Sequence, residues 1–195
     1  MSLHAELKEA TRHQHEATEQ LLFPRQDWSA LSLDEYRQFL QIQYVFHQRA
    51  ESLVDVSLNP ELKRVLHWSS RRKLSWLKDD LREVSGDVPP ALTKPEAAIS
   101  EAAGMGLLYV TEGATLGGRM IKKVLRSNEH ISPYSSFRFL SGYGEDTSRY
   151  WKSFLEVLEK TDYETAVVIA AARAGFDLFT ESIYHIQGQV VDRVP

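Results

Sequence analysis

The sequence predicts an all-α protein, and three observations carry that expectation. Apolar residues recur at steps of three, four and seven along most of the chain, the spacing that gathers them on one face of a helix. No segment shows the strict apolar–polar alternation and tight hairpin turn of paired strands. The 195 residues contain no internal repeat or low-complexity tract, so the expected organisation is one helical domain over 1–195.

The elements follow in order. Leu3, Leu7, Ala10, Ala17 and Leu21 predict a first helix over Leu3–Leu22, broken by "FPRQDW". Ser32 with Glu35 three residues on is a capping-box pattern, and it predicts the start of a second helix. One face of that helix carries Tyr36, Phe39, Leu40, Tyr44 (or Gln43) and His47. Pro60 opens a third helix expected to reach about Val84 through Leu62, Leu66, Leu74, Leu77 and Leu81. "SGDVPP" reads as a loop. A fourth helix is expected from near Pro95 to about Ser127. "NEHISPYSS" reads as a loop, and "FRFLSGYGED" as a short helix ending in turn residues. Two further helices are expected, at Thr147–Lys160 with Trp151, Phe154, Leu155 and Leu158, and at Tyr163–Gln189.

Composition narrows the function. A net charge of -4 argues against a broad nucleic-acid surface. The lack of cysteine removes disulfides, thiolate-held zinc or iron–sulfur centres and thiol nucleophiles, and it fits a reducing cytoplasm. No apolar run reaches the roughly 18 residues of a membrane span. The N-terminus shows no signal-peptide core. The expectation is a cytoplasmic protein with no membrane and no nucleic-acid partner.

Two features carry chemistry. The fourth helix holds Gly104, Gly106, Gly113, Gly117 and Gly118, although each interior glycine costs about 1 kcal/mol relative to alanine. Gly113 and Gly117 lie one turn apart on one face. Such a face serves either a tight helix crossing or a flat ligand lying against bare backbone, and the pattern alone does not choose. In the first helix, Thr11, His15 and Glu19 form one stripe at the margin of the apolar face. A carboxylate one turn after a histidine can hold its other ring nitrogen and fix the tautomer. His13 points about 200° away from His15 and is expected in solvent. No H-x-x-x-H or H-E-x-x-H zinc pair, no E-x-x-H di-iron pair and no G-x-S-x-G elbow occurs.

Taken together, these stretches resemble one family. "ELKEATRHQHEATE" is similar to the proximal-helix signature of haem oxygenases, and "YVTEGATLGG" to the distal-helix signature of their bacterial members. "FLSGYGEDTSRYWKSFLEVL" resembles a later helix of the same proteins. The resemblance spans essentially the whole chain. It implies a haem-oxygenase-like helical bundle with haem b between the first helix and the glycine-rich one.

It also implies roles. His15 would be the proximal iron ligand, with Glu19 on its other ring nitrogen. Gly113 and Gly117, with Gly118 beside them, would let the distal helix close over haem and leave room for dioxygen. Lys8 and Tyr109 match positions that meet haem propionates. Arg12 flanks Lys8, Arg149 and Lys152 would approach from the later helix, and Phe176 would form a pocket wall. Ala114 stands where mammalian-type enzymes place an aspartate and many bacterial ones a serine, with Glu112 and Thr115 nearby. The implied activity is oxidative cleavage of haem to biliverdin, iron and carbon monoxide. It would need dioxygen and an external electron donor, a reductase or ferredoxin, and its product would suit iron acquisition or a bilin-using photoreceptor. Ala114 motivates an alternative, a haem store, carrier or sensor without turnover. A same-fold enzyme acting on other small molecules would not need His15 as a ligand.

Overall fold

The computed structural model describes residues 2–24, 27–84, 87–90 and 98–191. They form helices α1 (Leu3–Leu22), α2 (Leu33–Ser57), α3 (Pro60–Val65), α4 (Trp68–Arg71), α5 (Leu74–Glu83), α6 (Glu101–Leu125), α7 (Arg138–Ser141), α8 (Thr147–Lys160) and α9 (Thr165–Val191), with no strand among the described residues. None of the described helices is long and apolar enough to cross a membrane.

Local chemistry sets the ends of these helices. Ser2 caps α1 through its hydroxyl, which accepts from the Ala5 amide. Ser32 and Glu35 close the expected capping box on α2: the Ser32 hydroxyl accepts from the Glu35 amide, and the Glu35 carboxylate accepts from the Ser32 amide. α6 begins at Glu101, capped by Ser100. Residues 98–100 are not helical, so the expected start near Pro95 is too early; Pro95 itself lies outside the described residues. In the "FPRQDW" break, Phe23 caps α1, while Arg25 and Gln26 lie outside the described residues, as do Ser85 and Gly86 of the next loop.

The expected third helix is three short ones. The chain leaves α3 at Leu66, and His67 sits at φ +50° in the left-handed region. Trp68 is pinned where its indole N–H donates to Asp55 (2.8 Å). A second break at Arg72 and Lys73 swings Lys73 into the interior. The leucine spacing stays in helical phase across both breaks, so periodicity alone reads straight through them.

α2 is the central element. From Phe39 to His47 every side chain but that of Gln41 is buried. It packs against α5, α6 and α9. The larger apolar cluster joins Leu7 of α1 and Ala50 and Val54 of α2 to Met105 and Leu108 of α6, Phe154 of α8 and Ala172 of α9. A second cluster lies toward α5 and α7, around Tyr36, Leu40, Leu77, Leu81 and Leu140.

α9 is the wall that positions the site, since it packs along both α1 and α6. Close crossings with α6 use two glycines. A Cβ on Gly106 would stand 2.3 Å from the Val168 carbonyl oxygen, and one on Gly175 would meet Leu107 at 3.0 Å and Val110 at 3.1 Å. Gly104 serves the α2 crossing in the same way, against Ser57.

Candidate functional site

One turn of α9 touches both sides of the site. Arg173 donates from Nε to the Ala10 carbonyl of α1 (3.0 Å). Gly175 seats Leu107 and Val110 of α6. Phe176, nearly buried, meets the His15 ring edge-on at 5.8 Å between centroids. The first helix and the glycine-rich helix are therefore held side by side on one wall. They meet at one end, where His4 of α1 packs against Tyr109 of α6 and Trp151 of α8.

On α1, the buried face carries Leu7, Thr11 and Thr18. Both threonines hide their hydroxyls by donating to the carbonyl four residues back, Thr11 to Leu7 (2.8 Å) and Thr18 to Gln14 (2.7 Å). Ala17, expected on the apolar face, is exposed. His15 lies on the flank, its side chain 57% exposed, with Nδ1 3.6 Å from Glu19 Oε2. At that distance the carboxylate orients the ring electrostatically rather than by a hydrogen bond, and it leaves Nε2 free to face a ligand. His13 is exposed. Among the described residues no group of three or more His, Asp or Glu could hold a bare metal ion. A single imidazole suffices for an iron whose four other positions are filled by a porphyrin, so the donor set fits haem.

On α6 the glycines divide. A Cβ on Gly117 would meet nothing within 4 Å, and one on Gly113 would meet only the edge of the Trp151 ring at 3.9 Å. Gly118, grouped with them by sequence, is a packing residue instead: its Cβ would stand 3.0 Å from the Leu140 carbonyl, so it lets α7 lie against α6. Ala114 is exposed. Neither neighbour supplies the polar group that Ala114 lacks. Thr115 is buried and donates to the Glu112 carbonyl (2.6 Å), and the Glu112 carboxylate turns away into the protein.

The other sequence-predicted residues are spread over the rim. Tyr109 is nearly buried, and burial raises its phenol pKa. Lys8 and Lys152 are exposed. Arg12 is engaged by its own helix, bonded to Glu9 (3.3 Å) and 3.9 Å from Glu16; these carboxylates, the Glu9 hydrogen bond first, raise its pKa. Arg149 is held by Asp146 through two contacts of 3.0 Å, which raise its pKa in the same way.

Sequence reasoning missed a buried charge cluster behind α6. Glu112, wholly buried, accepts from Arg71 Nη1, from Lys73 Nζ (2.7 Å) and from the Tyr143 hydroxyl (2.6 Å). Burial alone would raise its pKa, but Lys73 and Arg71 outweigh that and hold it below the ordinary value. Arg71 also donates to the carbonyls of Leu66 and Tyr150 and to Ser153. Glu51 accepts from the Lys73 amide (2.6 Å) and faces His47, whose ring nitrogens make no hydrogen bond and whose pKa is lowered by burial. The signal available in sequence was Glu112 itself, an acid in the apolar run "GLLYVTEG".

Comparison with known proteins bears on the family and the fold. The family described as heme oxygenase matches residues 1–184. Heme oxygenase of Xanthomonas campestris pv. campestris is 36% identical over 115 residues, 57% of this chain and 67% of that protein. Heme oxygenase PigA of Pseudomonas aeruginosa is 26% identical over 171 residues, 87% of this chain and 83% of the relative. The NO- and CO-bound heme oxygenase of Neisseria meningitidis shares the fold with a TM-score of 0.80 at 20% identity, over 96% of this chain and 93% of that one. Heme oxygenase-1 of the cyanobacterium Synechocystis, solved in complex with heme, gives 0.75 at 14% identity, over 98% and 95%.

Proposed function

The chain belongs to the haem oxygenase family, and from that premise we propose that it cleaves haem oxidatively to biliverdin, iron and carbon monoxide, acting as one domain in the cytoplasm. The observation that supports this most is the shared wall: one turn of α9 holds the His15 ring on one side and the α6 segment leading into Gly113 and Gly117 on the other.

Haem supplies the iron that binds dioxygen and is itself the molecule degraded. His15 would hold the iron through Nε2, with Glu19 and the Phe176 edge keeping the ring in orientation. A neutral imidazole suits oxygen chemistry in which the ring is the target. Gly113 and Gly117, bare of side chains and facing open or nearly open space, would let backbone approach bound haem and leave space for a small ligand. Lys8, on the flank of His15, and Tyr109 would receive the propionates, with Arg12 and Lys152 as rim cations. Arg149 contributes less because Asp146 already neutralises it. With Ala114 apolar, the protons would have to come through water held by backbone groups.

The electrons come from a separate reductase or ferredoxin. From Gly113 to Asn128 the chain has four cations, Arg119, Lys122, Lys123 and Arg126, and no acid. Arg119, Lys123 and Arg126 are exposed beside Leu116 and Met120, a face suited to an acidic donor. The product serves iron acquisition or a bilin-using photoreceptor.

Hemin-loaded protein reduced with ascorbate in air tests the reading. The Soret band should disappear as a bilin absorption grows. A Soret band that survives reduction in air would sink the enzyme reading and leave the haem store or sensor.

A further inference from the structure

We infer that Glu112 is a positioning residue for the oxygen chemistry, setting the placement of the distal backbone from the buried side of α6. The inference rests on the haem-degrading reading above. A helix is positioned by the side chains it packs against its neighbours. On the ligand side of α6 this is not available: Gly117 touches nothing and Gly113 meets only a ring edge. The position of that backbone must be set from behind. Glu112 immediately precedes Gly113, and its carboxylate is clamped by three donors from three other places in the fold. Arg71 comes from α4, Lys73 from the α4–α5 link and Tyr143 from the α7–α8 link. The clamp is anchored in turn, because Arg71 reaches α8 at Tyr150 and Ser153, and the Tyr143 and Tyr150 rings stack at 4.0 Å. The two breaks in the 60–84 segment thereby acquire a purpose: a continuous helix would not bring both Arg71 and Lys73 to one carboxylate. Charge-assisted, buried hydrogen bonds are among the strongest the chain can make, and they sit just before the stretch of the distal helix where Gly113 meets only a ring edge and a Cβ on Gly117 would meet nothing.

The test compares wild type with Glu112→Gln and with the milder Tyr143→Phe, which keeps both cation contacts. Three quantities are read on the hemin-loaded proteins: hemin affinity, the C–O stretching band of the ferrous carbonyl complex, and the rate of biliverdin formation. Hemin affinity should stay within about threefold, since His15 is untouched. The C–O band should broaden or split in both variants. The rate of biliverdin formation should fall about ten- to a hundredfold in Glu112→Gln, the scale of a sub-ångström to 1 Å misplacement, and severalfold in Tyr143→Phe. An unchanged band with wild-type turnover in both variants, even alongside a lower melting temperature, would show the cluster to be merely structural. A wild type that binds no hemin would instead overturn the haem reading, and this inference with it.

Discussion

The two halves of α6 use the same residue for opposite ends. In the first half, Gly104 and Gly106 are glycines because something already occupies the place of a side chain: Ser57 at one, the backbone of α9 at the other. In the second half, Gly113 and Gly117 face nothing or nearly nothing. A glycine that permits a crossing is explained by its neighbour. A glycine with no neighbour carries the helix-propensity cost without any packing return, and that imbalance is what the proposed ligand side rests on. Gly118 shows that the boundary is a matter of face as well as position, since it sits beside Gly117 and packs against α7. Glu112 stands where the halves join.

Breaking the joint should have the largest effect. Glu112→Ala strands Arg71 and Lys73 as buried, uncompensated cations, and should lower unfolding free energy by about 3–5 kcal/mol in urea melts. The pH dependence has a definite sign. The Glu112 carboxyl is held below its ordinary 4.5 in the folded state, so its contribution is fully present above 4.5 and is lost as pH falls through the lower folded value. The urea midpoint should therefore fall more steeply below pH 4.5 in wild type than in Glu112→Gln.

Gly106→Ala comes next. Its methyl group meets a backbone oxygen at 2.3 Å, and the forced separation of α6 from α9 should destabilise by about 1–3 kcal/mol, measured by the same melts. Gly117→Ala should do the reverse to the empty protein, stabilising it by about 1 kcal/mol through helix propensity. In hemin titrations the same variant should bind more weakly, on the order of tenfold. Equal destabilisation by the two substitutions would erase the distinction between the halves. The smallest effect is expected at Arg12→Ala, whose exposed ion pairs are worth about 0–1 kcal/mol.

How much of this was legible in the sequence follows from the same contrast. Local chemistry was readable: α1 and α8 have the expected bounds, and the Ser32–Glu35 cap forms as its spacing predicts. The pairing of His15 with Glu19, and the separation of His15 from His13, follow from helical spacing alone. Tertiary compensation was not readable. Arg71 and Lys73 look like surface cations until Glu112 is placed between them, and the bends that deliver them carry no glycine or proline. Thr11 and Thr18 look too polar for a core face because the back-bonds that satisfy them exist only once the helix forms. The glycine pattern announced exposed backbone, and only the neighbours could say which glycines faced protein and which faced open space.

The central claim is that His15 on α1 and the uncovered glycines of α6 form one haem site. An optical hemin titration of His15→Ala, run beside wild type and His13→Ala, tests it most directly. The account predicts that wild type and His13→Ala give the same ferric spectrum and affinity, while His15→Ala loses the histidine-ligated spectrum and binds hemin far more weakly. An unchanged ferric spectrum and affinity in His15→Ala would contradict it.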